Sequence, residues 1–301
     1  MTIRPPLSST GIGTAAALGA FLLWGFSPLY YRAVGQAGAL EILAHRVVWS
    51  LLLCLLLVVA SGRVMELRRL LGDGRHRRIL LVSALLVSVN WLGFIWAVNN
   101  DRALEASMGY FIFPIMMLLL GRLFLDERLN RPQQLAVGLV LGGVAIQLLL
   151  TGRLPWIALV LAVSFSLYGL VRKKIPVGTL VGLTMECLLL APPALLYLGL
   201  QWRDGALVFG TLGPGFDALL AAAALVTAIP LLLFTSATRR LRLGTVGLLQ
   251  YLNPTCQFLL AVFLFREPFG QAHLASFLLI WSGVLLFTLD SRRRAGQAAQ
   301  G

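Results

Sequence analysis

The chain of 301 residues is 58% hydrophobic and 12% charged, with a formal net charge of +13 and a mean hydropathy of +0.85. Soluble domains carry about twice that share of charge, and the apolar runs are continuous rather than alternating. A soluble domain and a β-barrel are therefore both excluded, in favour of an all-α integral membrane protein.

In chain order, the runs at 10–31, 41–60, 79–98, 105–124, 133–151, 155–171, 179–200, 218–238, 245–264 and 272–289 are each long enough to cross a bilayer as a helix. The first exceeds the core of a signal peptide and reads as an uncleaved helix; it carries Trp24 and Pro28. The second places Glu41, His45 and Trp49 on one face at i, i+4 and i+8, with Arg46 beside His45. Asn90 and Trp91 lie near the middle of the third. The fourth has Tyr110 four residues before Pro114 and exits at Glu127, and the fifth holds Gly138 and Gly142, a GxxxG expected to mark a close helix contact. Tyr168 lies in the sixth, Glu186 well inside the seventh and Pro230 in the eighth. The ninth aligns Gln250, Asn253 and Gln257 as one polar stripe. Pro254 is expected to interrupt that helix and free a carbonyl toward a cavity. Cys54, Cys187 and Cys256 all fall inside spans and read as buried small hydrophobes, not disulfides or metal ligands.

An offset of 140 positions superimposes the first five runs on the second five and pairs Arg102 with Arg242, Pro114 with Pro254 and Glu127 with Glu267. The chain thus reads as two five-helix repeats, 10–151 and 155–289, followed by a polar tail, 290–301, expected to be disordered from Arg294 on. Of the 25 Lys and Arg residues, nineteen fall on one set of loops and termini, including Arg63 to Arg78, Arg172 to Lys174 and Arg292 to Arg294. Five (Arg32, Arg102, Arg153, Arg203 and Arg266) fall on the other set. The positive-inside rule then makes both termini cytoplasmic and removes the case for nucleic-acid binding. An odd number of helices per repeat inverts the second half relative to the first, an architecture of many secondary transporters.

Charges inside spans are costly and point to a polar interior. Arg46 and Glu186 occupy equivalent positions under the offset, and are expected to form a substrate-binding or proton-carrying pair in a central cavity. Burial favours the protonated carboxyl and a nearby guanidinium the ionised one, so Glu186 is the candidate for proton coupling. Trp24, His45, Asn90, Trp91, Tyr110, Tyr168, Gln250 and Asn253 complete the candidate cavity lining. Static salt bridges and packing are the competing roles. Glu127 and Glu267 read as solvated interface charges, with a gate role as the alternative. The sequence has no GxxxxGK[ST] phosphate loop, nucleophile elbow or HExxH, and His45, His76 and His273 are scattered. No ATP, cofactor, metal or catalytic residue is therefore expected.

The segments Phe21–Tyr31 (FLLWGFSPLYY), Glu41–Ser50 (EILAHRVVWS), Val89–Asn99 (VNWLGFIWAVN), Leu104–Pro114 (LEASMGYFIFP), Leu118–Leu129 (LLLGRLFLDERL) and Gly247–Pro254 (GLLQYLNP) resemble the RarD group. That group lies in the EamA branch of the drug/metabolite transporter superfamily. The resemblance implies ten helices in inverted repeats, an inner-membrane location and a cavity lined by helices 1–4 and 6–9, with helices 5 and 10 peripheral. The reading is a permease, monomeric or homodimeric, that moves a small organic metabolite or drug-like solute by alternating access. A membrane-embedded enzyme or sensor is the alternative.

Overall fold

Lipid offers the backbone no hydrogen-bond partner, so each apolar run satisfies its own N–H and C=O groups as a helix. In a computed structural model describing residues 9–124, 129–173, 175–238, 240–241 and 243–297, α1 spans Ser9–Ala33, α2 Gly38–Ala60, α3 Val64–Gly72, α4 Gly74–Asn99, α5 Ala103–Phe124, α6 Arg131–Thr151 and α7 Trp156–Lys173. The chain continues through α8 at Thr179–Arg203, α9 at Pro214–Ala221, α10 at Ala223–Thr238, α11 at Leu243–Leu249, α12 at Leu252–Leu259 and α13 at Gln271–Gln297. Among the described residues ten segments are long and apolar enough to cross a bilayer; α9 and α10 share one, while α11, α12 and the π-helical turn Leu260–Leu264 make another. Because successive crossings alternate, α1 begins and α13 ends on one face, the terminal face. The α1–α2, α4–α5 and α6–α7 connections lie on the opposite, far face.

Three local features depart from the expected layout. The connection at 61–78 contains α3, which buries Leu67 and Leu70 against the bundle. The last helix runs on to Gln297, past the expected start of the tail, and 298–301 lie outside the described residues. In the ninth crossing Pro254 does interrupt the helix, but the Gln250 carbonyl it frees accepts the Asn253 N–H at 3.1 Å. Tightening the turn satisfies that group locally, so it is not left facing a cavity.

Among the described residues, exchanging the first five crossings for the second five maps most of the major packing contacts onto another, with α2 against α4 the main exception. α1 packs on α10 and α12, and their counterparts α7, α4 and α5 pack in the same way. α2 meets α10 as α8 meets α4, while α2 with α8, α5 with α12 and α6 with α13 are self-paired. Two inverted halves would leave this pattern. The α6–α13 pair sits at the edge, and its close approach does not use the expected Gly138. A Cβ at Gly138 would meet nothing within 4 Å, whereas one at Gly143 would lie 2.9 Å from the Ser276 carbonyl and one at Gly283 2.8 Å from the Ala136 carbonyl. The contact therefore runs along a stripe one residue round the helix from the GxxxG.

Candidate functional site

At the far face, three carboxylates, two buried and one partly buried, each bind backbone N–H groups belonging to the other half of the chain. Glu41, on α2, accepts from Val208 and Phe209 at 2.9 to 3.1 Å. Glu105, on α5, accepts from Ile157 at the start of α7 at 2.8 Å. Glu267 accepts from Ala103 and Leu104 at the start of α5, at 2.7 and 2.8 Å. The first turn of a helix has unsatisfied N–H groups and a partial positive charge, which makes it a good seat for a carboxylate. Glu267 is only 6% exposed, so it is a buried cap and not a solvated interface charge. Burial pushes its carboxyl above the usual range, opposed by the two amides it caps. Tyr30 donates to the Leu219 carbonyl at 2.9 Å. Arg32 pairs with Asp101 and lies 4.3 Å above the Phe265 ring. Glu127, the counterpart of Glu267, lies outside the described residues.

Arg46 and Glu186 are both buried, at 6% and 0% exposure, but each has its own partners. Arg46 Nε donates to Thr227 Oγ1 on α10 at 2.9 Å, and its guanidinium lies 3.9 Å over the Trp91 ring and 5.7 Å from the Tyr31 ring. Glu186 accepts from Ser83 Oγ at 2.6 Å and Tyr168 Oη at 3.5 Å, with Arg172 Nε at 3.7 Å. The expected pair is therefore two separate centres. The reason is geometric: α2 and α8 run in opposite directions, so equivalent positions fall at mirrored depths. Arg46 is about 12 Å along α2 from the far face and Glu186 about 10 Å along α8 from the terminal face.

The remaining candidates distribute over further clusters. Asn90 donates to the Leu161 carbonyl and to Ser164, and accepts from Tyr110 at 3.1 Å. It is thereby a satisfied bridge between α4, α5 and α7. His45 Nδ1 accepts from Trp49 at 3.2 Å, the ring stacks on Phe209 and Nε2 lies 3.8 Å from Glu41. Trp24 packs against Phe21 and Phe234. Gln257 donates to Asn253 at 2.8 Å and to the Trp24 carbonyl at 3.4 Å. Gln250 occupies the break between α11 and α12. Sequence reasoning missed Thr227, Ser83 and Arg172. Arg172 counted as a loop charge, yet it sits in the last turn of α7 and reaches back into the bundle across Gly182, where a Cβ would collide with its guanidinium. A serine or threonine inside an apolar span was the available signal for the other two.

On the terminal side a cavity of about 300 Å³ opens between α2, α8 and α10. Cys54, Leu183 and Leu231 line its inner end, and Ser61, Arg63 and Arg240 also line it. Cys54, Leu183 and Cys187 form a buried cluster against which Trp91 packs. Trp91 therefore touches both the cluster at the inner end of the cavity and the Arg46 guanidinium.

Comparison with known proteins agrees with this architecture. The EamA-like transporter family matches residues 11–149. A protein from Vibrio cholerae described as an uncharacterized transporter is 42% identical over 100% of this chain and 99% of its own length. Protein RarD from Salmonella typhi is 45% identical over 93% of this chain and 95% of its own. A crystal structure of a protein 20% identical shares the fold over 93% of this chain and 98% of that one, with a TM-score of 0.60. The chain therefore belongs to the RarD group of the EamA-like transporter family, within the drug/metabolite transporter superfamily.

Proposed function

We propose that the protein is a secondary permease of the cytoplasmic membrane that moves a small organic solute by alternating access. Its two inverted halves, 10–151 and 155–289, rock about the buried polar centres between them. The carrying observation is the asymmetry of the two faces: the far face is closed by three carboxylates that cross between the halves, while a cavity enters from the terminal face. With both termini cytoplasmic, as the distribution of Lys and Arg predicts, this arrangement is an inward-facing conformation. Transport needs a second conformation in which the far face opens and the cavity closes.

Glu186 is the proposed proton carrier. It is a buried carboxyl with two hydroxyl donors and one guanidinium, so it can exchange a proton as the surroundings of Arg172 change. The test begins with a thermal-shift screen of purified protein against metabolites and antibiotics, since a ligand of the folded form raises its apparent stability. Each hit is then assayed for uptake into proteoliposomes. Uptake of a hit supports the permease reading, and binding without uptake of any hit overturns it. Proton coupling predicts that Glu186→Gln abolishes uptake driven by a pH gradient but retains exchange; unchanged gradient-driven uptake removes that role.

A further inference from the structure

Among the described residues, Arg46 is a buried cation whose hydrogen-bond and ring partners are neutral. Thr227 takes its Nε proton, Trp91 covers one face of the guanidinium and Tyr31 faces it. Among the described residues, the ion pairs formed within 4.0 Å do not include Arg46. The buried acid at the equivalent position, Glu186, is held by Arg172 instead. A charge inside a bilayer is normally balanced by an opposite one or by a functional ligand. A cation–π contact offsets only part of the desolvation cost. A guanidinium carries five N–H donors in a planar fork suited to a carboxylate, sulfonate or phosphate group.

A second, independent observation has the same sign. The cavity that leads toward Trp91 is lined by thirteen residues, of which the charged ones are Arg63 and Arg240 and none is an acid. Arg63 shares its charge with Glu66 at 3.6 Å, and Arg240 is anchored on Ser236. A concave surface of one sign concentrates the opposite ion at its mouth. Past these arginines the lining turns apolar, with Leu180, Leu183 and Leu231, and Trp91 packs on the buried cluster that contains Cys54 and Leu183 of that lining.

We propose that Arg46 is the anchor for a negatively charged group on the transported solute, and that the substrate is a small organic anion with a flat or apolar body. This rests on the permease reading. The anion enters past Arg63 and Arg240, its body lies against the leucines and Trp91, and its charged end meets the guanidinium once the Trp91 ring moves aside. Trp91 is then both a wall of the site and the hatch between cavity and cation.

The test compares matched probes on the full chain purified in detergent. Benzoate, benzenesulfonate and phenyl phosphate are the anions, benzamide the neutral match and benzylamine the cation. At least one anion is expected to raise the melting temperature saturably, while benzamide and benzylamine at the same concentrations do not. Arg46→Gln should weaken that anion's binding by roughly ten- to a hundredfold, the equivalent of one charge-assisted interaction, and Arg46→Lys should restore part of it. The wild-type comparison requires no variant to fold. Equal shifts from anion and neutral match, no shift from any of the three anions, or a shift that survives Arg46→Gln would each overturn the proposal. Counterflow of the bound anion in proteoliposomes separates this inference from the one beneath it. Binding through Arg46 without counterflow ends the permease reading and leaves the anion site standing. Transport of a neutral or cationic solute with no anion binding does the reverse.

Discussion

Arg32 and Arg172 occupy equivalent positions at the ends of α1 and α7, and the two faces of the bundle use them differently. On the far face Arg32 pairs with Asp101 near the surface, beside Glu41, Glu105 and Glu267, which tie the two halves together through backbone N–H groups. On the terminal face Arg172 turns inward to Glu186. The residues equivalent to Glu41 and Glu105 there are Val181 and Thr245, and neither side chain is a carboxylate that can hold an amide. One face is thus fastened by carboxylates on backbone N–H groups, two of the three at helix starts, and the other has a cavity beside a buried ion pair. At two of the three fastening positions the equivalent residue on the terminal face is not an acid; the equivalent of the third, Glu127, lies outside the described residues. Opening one face and opening the other therefore break different bonds.

The largest test of that contrast is Glu186→Ala. It removes the acceptor of Ser83 and Tyr168 and leaves Arg172 beside an apolar gap; loss of one member of a buried pair costs about 3–5 kcal/mol. The melting temperature should fall sharply, and adding Arg172→Met should recover part of the loss. A single variant as stable as the parent would show that the terminal-face network holds nothing together. Next in size is Glu267→Ala, which orphans two N–H groups of α5 at about 1–3 kcal/mol each. Its more telling readout is accessibility. Cysteine at Ser107, which is fully buried beneath that cap, should gain labelling by an impermeant maleimide from the far side, and cysteine at Ser236 in the cavity should lose it. If both report the same change, the faces are not coupled.

A smaller effect gives a control that belongs to neither face. Gly143→Ala or Gly283→Ala forces the α6–α13 seam apart and should cost about 1–2 kcal/mol. Gly138→Ala, which meets open space, should leave the melting temperature unchanged or raise it slightly. None of the three should alter the labelling of either reporter cysteine.

The ten crossings were legible because run length and hydropathy decide them one segment at a time. The equivalence of Arg46 with Glu186 was legible because a duplication leaves a constant offset. Their partners were not, since spacing along one helix says nothing about which other helix supplies the acceptor. Asn90 finds its partner in the Leu161 carbonyl, 71 residues away, and a backbone carbonyl has no sequence signature. Glu267 looked like a solvated interface charge because its partners are at a helix start elsewhere in the chain. The GxxxG at Gly138 and Gly142 was a true motif at the wrong angle: a step of one residue turns a helix by about 100°, enough to move the contact to Gly143.

The smallest expected effect concerns the terminal face alone and involves pH. Asp73 caps α4 by accepting the Arg75 and His76 N–H groups at 3.0 and 3.1 Å, and its second oxygen meets the His76 ring. The side-chain bond to His76, followed by the backbone bond to the same residue, holds its carboxyl below the usual range. A group whose folded value lies below its unfolded one contributes fully above the unfolded value, about 4 for an aspartate, and the contribution is lost as the pH falls through the folded value. Hydrogen exchange in the first turn of α4 should therefore quicken below about pH 4, relative to a reference amide in the middle of the same helix. Asp73→Asn keeps a capping side chain but cannot titrate, so in that variant the relative protection should stay flat across the same range. The far face provides the contrast within one experiment. Glu267, whose carboxyl burial pushes upward instead, should begin to take up a proton at higher pH than Asp73. The α5 start should accordingly respond to acid before the α4 start does. The reverse order, or a single common midpoint, would mean that the two ends of the bundle do not hold their carboxylates in different ways.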